Sequence, residues 1–520
     1  MKRPLLGVAS ATLICMLLQP VSAPAAMSCA ALATLQLPET TITAAHEVPA
    51  GSFTPPVGAP LPNLPEFCRV ALTVAPAIRI EVWLPKSTWN ERYQGVGGGG
   101  YAGSISYGAL ATALRAGYAT ASTDTGHVGG SGTFALNPDG TLNWGLIEDF
   151  ARRSLHEMVL KAKSIINAHY GATPKYSYWT GCSTGGRQGL MAVQQFPEEY
   201  DGLVIAAPAI HWERFIAAEI WPQIVMHQEV GAPIAATKLN AVNAAAVAAC
   251  DAADGVADGV INDPRKCDFD PAALICPGGD SATCLTPQEA NAVRKIWDGP
   301  TGAKTGNRLW FGLEPGASFA GLAGTIAFPI ASTHLAYWVN QDPAFDWRSV
   351  TEAGFEEQFR TSFRKFNEVI GTDEDNLQEF RKRGGKVLMW HGEADQLIFP
   401  RGTVNYYERV VTGSGGLKHV DDFMRLFLAP GVAHCAGGVG PNPVGTLEAV
   451  VDWVENGIAP ERLMAARQLP GGGVRTRPLC AYPNTAMWTG VGSTDDAANF
   501  VCVDGDHDAA DFRITGFGSN

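Results

Sequence analysis

The sequence lacks the features that mark membrane, zinc-thiolate and nucleic-acid-binding proteins. After residue 26 it contains no apolar run of the ~20 residues that a membrane-spanning helix needs. It contains no C-x-x-C pair of the zinc-binding kind, no internal repeat and no long low-complexity tract. Positive charge is also scarce: the formal net charge is −13 at pH 7, which disfavours nucleic acid and anionic membrane surfaces as partners. No feature indicates an obligate protein partner, so a small-molecule ligand is the remaining expectation.

The N-terminus has the pattern of a secretory signal peptide. Lys2 and Arg3 precede an apolar run at 5–18, and small residues follow at 21–26. Charged, apolar and small segments in this order are typical of export signals. We predict that residues 1–26 are removed and that the mature protein is soluble and either secreted or periplasmic.

The cysteines are consistent with that compartment. Of the 11 cysteines, Cys15 falls in the signal segment and leaves an even number. In an exported protein, an even number favours disulfides over metal thiolates. Spacing suggests four local pairs and leaves one long-range pair; the predicted bridges are Cys29–Cys68, Cys250–Cys267, Cys276–Cys284, Cys480–Cys502 and Cys182–Cys435.

A nucleophile motif stands at 181–185, which reads Gly-Cys-Ser-Thr-Gly. In G-x-S-x-G the serine occupies a sharp turn between a strand and a helix. A β-rich run at 176–180 precedes it, a helical pattern at 186–196 follows, and a buried strand is predicted at 203–207. The motif alone also arises by chance in a glycine-rich chain, but this context indicates that Ser183 is a nucleophile.

A serine hydroxyl needs an adjacent base, which a carboxylate must orient. Asp395 follows a predicted strand at 386–390, and His434 follows the next one at 424–428. The order Ser183, Asp395, His434 is the order found in α/β-hydrolases. These three residues therefore form the predicted catalytic triad.

Two alternatives remain open within the triad. Glu393 or Asp421 could replace the aspartate as the orienting carboxylate, and the histidine could be a loop residue bound only to the main chain. If the serine and the histidine meet, however, their chain neighbours Cys182 and Cys435 come close enough to bridge. A disulfide there would hold the loop of the base against the turn of the nucleophile.

An oxyanion hole needs main-chain N–H groups directed at the developing alkoxide. The amide of Thr184, directly after the nucleophile, is one candidate. The second should come from the glycine run 97–100, which follows a strand-like segment at 93–96. We favour Gly100, with Gly99 as the alternative; a flexible turn without a role is the other interpretation.

The loop at 250–260 carries three aspartates, Asp251, Asp254 and Asp258, separated by glycine turns. Carboxylates and main-chain carbonyls at such spacing can wrap a hard cation, although the spacing departs from that of an EF-hand. A solvated loop of Asx-turns is the alternative. The position of the loop, closed by the predicted Cys250–Cys267 bridge, favours a structural Ca²⁺ remote from catalysis.

The length of 520 residues exceeds the ~250–300 at which single cores stop growing, so two domains are expected. Alternating strand and helix signals occupy 27–208 and resume at 381–520. The stretch 209–380 differs, with four cysteines, many aromatics and irregular Gly/Pro-rich segments. We predict an α/β fold of the α/β-hydrolase type, with 209–380 inserted as a disulfide-bridged, calcium-binding lid domain.

Taken together, these motifs resemble the tannase/feruloyl esterase family, with its Cys-Ser…Asp…His-Cys arrangement. The resemblance rests on 181–187, the Asp395 segment and 434–435, and extends to 89–92 and 476–480. It implies an α/β-hydrolase fold and a serine esterase that works through an acyl-enzyme. It also implies a lid calcium site whose ligands are the side chains of Asp251, Asp254 and Asp258 and the carbonyls of Val256 and Val260.

The resemblance implies a substrate among esters of aromatic acids, of the feruloyl or galloyl type. One branch of the family hydrolyses mono(2-hydroxyethyl) terephthalate, and its lid arginine is expected just before the segment around Phe328. Here 321–330 contains no Arg or Lys, although Arg308 could reach in. Phe328 and Ser332 are candidate pocket residues. The alternative of another class is a non-catalytic hydrolase-fold binding protein, against which a complete triad argues.

Overall fold

The chain adopts a mixed α/β architecture in a computed structural model that describes residues 26–505 and residue 514. Residues 1–25 of the predicted signal peptide lie outside the described residues. The strands are β1 Thr40–Val48, β2 Gly51–Phe53, β3 Leu61–Leu64, β4 Phe67–Val74, β5 Ile78–Pro85, β6 Arg92–Val96, β7 Ala119–Thr123, β8 Tyr176–Cys182, β9 Gly202–Ala206, β10 Lys386–Gly392, β11 Met424–Ala429, β12 Asn442–Val444, β13 Arg462–Gln468, β14 Val474–Cys480, β15 Thr485–Trp488 and β16 Phe500–Val503.

Helices surround these strands. They are α1 Tyr107–Arg115, α2 Trp144–Glu148, α3 Ser154–Tyr170, α4 Thr184–Gln195, α5 Trp212–Ala218, α6 Trp221–Glu229, α7 Ala236–Cys250, α8 Pro287–Asp298, α9 Pro329–Thr333, α10 Glu352–Ile370, α11 Gln378–Lys382, α12 Pro400–Gly413 and α13 Thr446–Asn456. Two further turns, Asp149–Arg153 and His334–Val339, are π-helical.

The main sheet has nine strands in the order β1-β4-β5-β7-β6-β8-β9-β10-β11. The first three strands and the β5–β7 pair are antiparallel, whereas β7 to β11 are parallel neighbours in that order. The predicted strands at 78–84, 176–180, 203–207, 386–390 and 424–428 all lie in this sheet. Because β6, β8, β9, β10 and β11 are parallel, the residues that follow their carboxyl ends meet at one edge of the sheet.

Helices cover both faces of the sheet. On one face, α3, α4 and α12 bury residues such as Ile165, Leu190 and Val404 against the strands. On the other face, α1 and α13 contribute Leu110 and Val450 to a second core cluster. Parallel strands buried on both faces are accordingly continuous in apolar residues, and β9 is buried along its whole length.

Residues 209–380, the inserted segment, connect β9 to β10. They contain α5 to α10 and the start of α11, and no strand of the main sheet lies within this described stretch. They also contribute most members of a third core cluster, rich in Trp, Phe and Ile. The segment therefore has an apolar interior of its own.

The structure pairs the ten cysteines of the described residues in five disulfides. They are Cys29–Cys68, Cys182–Cys435, Cys250–Cys267, Cys276–Cys284 and Cys480–Cys502, which are the pairs that spacing suggested. Among the helices of the described ranges, none has the length and apolar character needed to cross a membrane.

Candidate active site

Ser183 occupies the turn between β8 and α4. Its φ of 62° lies in the left-handed region that side chains rarely adopt. Main-chain hydrogen bonds hold this conformation: the Ser183 amide donates to the Ala206 carbonyl at 3.1 Å, and the Ala209 amide donates to the Ser183 carbonyl at 2.9 Å. Strain stored at a turn and fixed by its surroundings is a recurrent feature of functional sites.

The glycines of the motif are required by close packing. A Cβ added at Gly181 would lie 2.3 Å from the Gly185 carbonyl oxygen. A Cβ added at Gly97, in the preceding glycine loop, would lie 2.4 Å from the Gly185 Cα. The turn and the glycine loop therefore approach each other as closely as main chain allows.

His434 and Asp395 meet at the carboxyl edge of the sheet. The Nδ1 of His434 lies 2.8 Å from Oδ2 of Asp395. The aspartate is fully buried, while the histidine is partly exposed. Because a carboxylate can only accept, Nδ1 carries the proton, and Nε2 is left as the basic nitrogen.

Asp395 accepts further hydrogen bonds that fix both of its oxygens. Oδ1 accepts from the amides of Leu397 and Ile398 at 2.8 and 2.9 Å, and Oδ2 accepts from Nε2 of His391 at 3.1 Å. Burial alone would raise the pKa of Asp395, but hydrogen bonds from His391 and His434 outweigh burial and hold that pKa below its ordinary value. The carboxylate is therefore ionised throughout the physiological range.

The predicted alternatives for the orienting carboxylate do not take this position. His434 contacts Asp395 rather than Glu393 or Asp421. Glu393 is buried, which raises the pKa of its carboxyl well above the ordinary value, with Asp263 adding to the shift. Burial likewise raises the pKa of Asp421, whose facing cation is Arg425.

The disulfide Cys182–Cys435 joins the nucleophile turn to the histidine loop. Its two Cα atoms are 5.9 Å apart, and Ser183 and His434 are each one residue from it. Cys435 itself has a positive φ of 62°. The His434 amide also donates to the side-chain carbonyl of Gln396 at 3.1 Å, so the loop is tied at two points.

Two side chains connect the glycine loop to α4. The hydroxyl of Thr184 donates to the Gly100 carbonyl at 2.5 Å, and Oε1 of Gln188 accepts from the Gly98 amide at 3.0 Å. Thr184 is the first residue of α4, where an amide has no acceptor within the helix. Gly100 has a φ of 56°, and Gly99 is exposed. The amides of Thr184 and Gly100 thus belong to neighbouring segments, as a two-donor oxyanion hole requires.

The candidate pocket residues lie on the inserted segment. Phe328 is half-buried and packs against the third core cluster directly before α9. Ser332 is also half-buried, and its hydroxyl donates to the Pro329 carbonyl at 3.3 Å. Arg308, the alternative cation, lies over the ring of Phe311, 5.4 Å from its centroid.

Sequence analysis missed a role for His391. Its Nδ1 lies 2.8 Å from the Thr403 hydroxyl, while its Nε2 faces Asp395 and the Ile398 carbonyl. Both neighbours of Nε2 are acceptors, so the neutral tautomer protonated at Nε2 satisfies every contact. A polar residue at the end of a buried strand, four positions before the aspartate, was the available signal.

A second missed residue is Arg187, on α4 one turn after the nucleophile. Its guanidinium donates to the carbonyls of Ala151 and Phe150 at 2.8 and 3.0 Å, and lies over the rings of Phe150 and Trp212. Burial lowers the pKa of Arg187 to about 9. The side chain ties the nucleophile helix to the π-helical turn Asp149–Arg153.

The aspartate loop 250–260 uses its carboxylates mainly within the protein. Oδ1 of Asp251 accepts from the amides of residues 258, 259 and 260, and Oδ1 of Asp254 accepts from the Val256 amide. Asp258 faces Arg477, with Nη2 2.6 Å from Oδ2. Burial, Asp258 and Asp251 all raise the pKa of Asp254, whose negative charge is therefore not fully compensated.

The donor set fits a hard cation, since it consists of carboxylate and carbonyl oxygens with Val256 and Val260 in the same loop. The three carboxylates do not converge on one point as the chain stands. Across residues 26–505, the possible metal ligands of His, Cys, Asp and Glu lie within 4.8 Å of one another in a group of three only at Cys276, Asp280 and Cys284. Those two cysteines are bonded to each other in a disulfide.

Comparison with known proteins places these features in a family. Residues 64–503 match the family model described as tannase and feruloyl esterase. An uncharacterized esterase of Xanthomonas campestris is 39% identical, over 93% of this chain and 92% of that protein. A probable feruloyl esterase of Arthroderma benhamiae is 37% identical, over 85% and 88%.

A solved structure agrees with the sequence comparisons. The crystal structure of feruloyl esterase B from Aspergillus oryzae superposes with a TM-score of 0.83 at 30% identity. The alignment covers 90% of this chain and 98% of that one. The similarity thus extends over both the sheet and the inserted segment.

Proposed function

The chain belongs to the tannase and feruloyl esterase family and is a carboxylic ester hydrolase, and we propose that it hydrolyses esters of aromatic acids through Ser183, His434 and Asp395. The observation that carries the proposal is the Asp395–His434 hydrogen bond beside a disulfide that joins His434's loop to the Ser183 turn. This arrangement supplies a nucleophile, a base and the carboxylate that orients the base.

Acylation begins when His434 Nε2 takes the proton of the Ser183 hydroxyl as the oxygen attacks the ester carbonyl. The imidazolium that forms donates its Nδ1–H to Oδ2 of Asp395, and the aspartate remains ionised. His434 then donates the proton to the leaving alcohol, and the acyl group stays on the serine. His434 then takes a proton from water, which attacks the acyl-enzyme carbonyl; the bond to the Ser183 oxygen breaks, His434 returns the proton to that oxygen, and the acid leaves.

The negative charge of each tetrahedral intermediate falls on the former carbonyl oxygen. The amides of Thr184 and Gly100 stabilise it in this proposal. The Thr184 hydroxyl bond to Gly100 and the Gln188 bond to Gly98 fix the two donors before substrate binds. Preorganised donors of this kind contribute about 3–4 kcal/mol each to transition-state stabilisation.

An uncharged aromatic acyl group suits the inserted segment, which acts as the lid. Phe328 and its neighbours within 321–330 are apolar and include no Arg or Lys. A feruloyl or galloyl ring gains from stacking and burial against such a wall. A terephthalate monoester would bring a free carboxylate that 321–330 cannot pair, so we rank that substrate lower.

The proposal includes a structural calcium ion and export. Asp251, Asp254 and Asp258, with the carbonyls of Val256 and Val260, would hold Ca²⁺ on the inserted segment and stabilise its fold. Five disulfides suit an oxidising compartment, which supports removal of residues 1–26 during secretion.

A substrate panel tests the function. Methyl ferulate, methyl gallate, mono(2-hydroxyethyl) terephthalate and p-nitrophenyl butyrate would be assayed with the wild type and with Ser183→Ala. We expect turnover of methyl ferulate or methyl gallate by the wild type only. Folded, disulfide-intact wild type that hydrolyses none of the four would reject the proposal in favour of a non-catalytic binding protein.

A further inference from the structure

One stretch of the inserted segment contacts the candidate site at both of its ends. We call residues 321–330 the crossing segment. At its start, Gly321 is packed so closely on the main chain of Gln396 that an added Cβ would lie 2.7 Å from that carbonyl oxygen. Gln396 is the residue after Asp395 and also accepts from the His434 amide.

The other end of the crossing segment reaches the oxyanion loop. The Cδ1 of Ile330 would lie 3.3 Å from a Cβ on Gly100, and the Tyr101 hydroxyl donates to the Ile330 carbonyl at 3.4 Å. The segment therefore contacts the residue after Asp395 at one end and the glycine loop 97–100 at the other. Phe328, the candidate pocket residue, lies between these two anchors.

Little regular secondary structure supports the crossing segment. Residues 321–328 form turns and bends, without a strand or helix that would pair their main-chain groups. Buried main-chain carbonyls need partners, and leaving one unsatisfied is costly. Leu322 is fully buried and Gly324 is partly buried, so their carbonyls need donors from elsewhere in the molecule, whereas Ile326 is exposed.

Gln223, on α6, supplies them. Its Nε2 donates to the carbonyls of Leu322 at 3.0 Å, Gly324 at 2.9 Å and Ile326 at 3.3 Å. A side-chain amide has two N–H groups, so one of them is shared between two carbonyls. Gln223 is 3% exposed, which leaves water little access as a substitute donor.

We propose that Gln223 is a positioning residue that fixes the crossing segment and thereby sets the acyl pocket that Phe328 lines. This inference rests on the proposed function, since it concerns which acyl groups fit. Gln223 touches no reacting atom in this account and acts only through the segment that it holds. Its loss should weaken binding of a large aromatic acyl group and leave the chemistry on a small acyl group nearly intact.

The test compares Gln223→Leu with Gln194→Leu. Gln194, at the end of α4, is a matched control because its Nε2 also bonds two acceptors, the Thr372 carbonyl at 3.1 Å and the Tyr406 hydroxyl at 2.8 Å. Kinetics would be measured on methyl ferulate, which has a large acyl group, and on p-nitrophenyl acetate, which has a small one. Thermal unfolding of each variant reports the cost to stability.

For Gln223→Leu, we expect kcat/KM on methyl ferulate to fall about tenfold or more, mainly through KM, as for the loss of a site's supporting hydrogen bonds. The same constant for p-nitrophenyl acetate should change by less than about twofold. Gln194→Leu should lose a similar amount of thermal stability without changing the ratio between the two esters. If Gln223 had a purely structural role, each variant would lower kcat/KM by the same factor for both esters.

The outcomes separate this inference from the function on which it rests. Wild type without activity on either ester contradicts the proposed function itself. Active wild type with an unchanged ester ratio in Gln223→Leu overturns the role of Gln223. Should that variant fail to fold, Gln223→Asn replaces it, because it keeps the amide but shortens the side chain by one methylene. Hydrogen exchange of the main-chain amides at 321–330 must then be faster in Gln223→Asn than in wild type. Unchanged exchange together with an unchanged ester ratio overturns the inference.

Discussion

His391 contacts the carboxylate of the proposed triad and is itself buried. It holds Oδ2 of Asp395, the same oxygen that accepts from His434. The Thr403 hydroxyl in turn holds the other ring nitrogen of His391, Nδ1, at 2.8 Å. The orientation of the base therefore depends on a chain of three buried contacts.

Replacing this histidine should lower turnover. For His391→Leu, we expect kcat to fall about 10- to 100-fold with little change in KM, because Asp395 loses one of the groups that hold it and His434 is less well aligned. His391→Gln, which keeps an N–H at similar reach, should retain more of the activity. Steady-state kinetics on methyl ferulate measure both, and equal activity in His391→Leu and wild type would contradict the role.

Glu219 makes the pH dependence of stability measurable at one residue. It is 2% exposed, and its Oε2 has no hydrogen-bond partner among the described residues. Burial, together with Asp395, raises the pKa of Glu219 well above the ordinary value. The folded state keeps this carboxyl protonated, whereas the unfolded chain ionises it above a pKa of about 4.3. The unfolded state then binds fewer protons, so stability falls as pH rises above that value, by about 1.4 kcal/mol per pH unit until the folded group also ionises.

Glu219→Gln removes this dependence because an amide does not titrate. The urea midpoint of Glu219→Gln should exceed that of wild type at pH 8 by more than at pH 5. Glu461→Gln is the control, since the Glu461 side chain is 81% exposed. A difference between Glu219→Gln and wild type that does not grow between pH 5 and pH 8 would show that the folded pKa of Glu219 is not raised, and would contradict the prediction.

At the level of elements, the relative position of Ser183 and His434 depends on the contact between the β8–α4 turn and the loop after β11. The disulfide Cys182–Cys435 joins them, and no regular hydrogen-bond ladder between these two loops is present in the described residues. The sheet brings the loops to one edge, but the bridge fixes their distance. Catalytic geometry should therefore depend on this disulfide more than on the others.

Removing the bridge tests this dependence. The double variant with Cys182→Ser and Cys435→Ser should lose at least about tenfold in kcat, because small displacements between nucleophile and base are costly. The matched control replaces Cys276 and Cys284 by serine, which opens an eight-residue loop in the inserted segment. That control should lower only the unfolding temperature; equal kcat in both double variants and wild type would refute a catalytic role for the bridge.

Sequence patterns predicted the elements that are defined locally or by chain order. The strands at 176–180 and 386–390 carry apolar β-rich runs, and the G-x-S-x-G turn has its own spacing, so both were recognisable. The supporting contacts of Gln188, His391 and Gln223 were not, because each joins residues whose proximity arises only when the elements pack. The Cys182–Cys435 pair was predictable because the other cysteines had near neighbours and because these two adjoin the predicted nucleophile and base.

At the scale of the molecule, the sheet carries the proposed triad, and the inserted segment carries Phe328 and Ser332, the proposed pocket residues. The segment has its own aromatic core, two disulfides and the aspartate loop. Its stability can therefore be changed separately from the chemistry at the sheet edge. Calcium at Asp251, Asp254 and Asp258 would act at this scale.

Removing calcium should destabilise the protein without altering the triad. At free Ca²⁺ about 100 times the dissociation constant, binding adds about 2.7 kcal/mol to stability. We expect a lower unfolding temperature in EGTA than in CaCl₂ for the wild type. Asp254→Asn should show a smaller difference, and identical unfolding temperatures of wild type in EGTA and CaCl₂ would contradict the site.

The most direct test of the whole account is to trap the acyl group on the protein. Methyl ferulate would be mixed with wild type and with Ser183→Ala, the reactions quenched in acid, and the peptides mapped by mass spectrometry. The account predicts a feruloyl ester on the peptide that contains Ser183 in wild type, and neither the ester nor turnover in Ser183→Ala. Turnover of methyl ferulate by Ser183→Ala at the wild-type rate, or acylation of another residue, would contradict it.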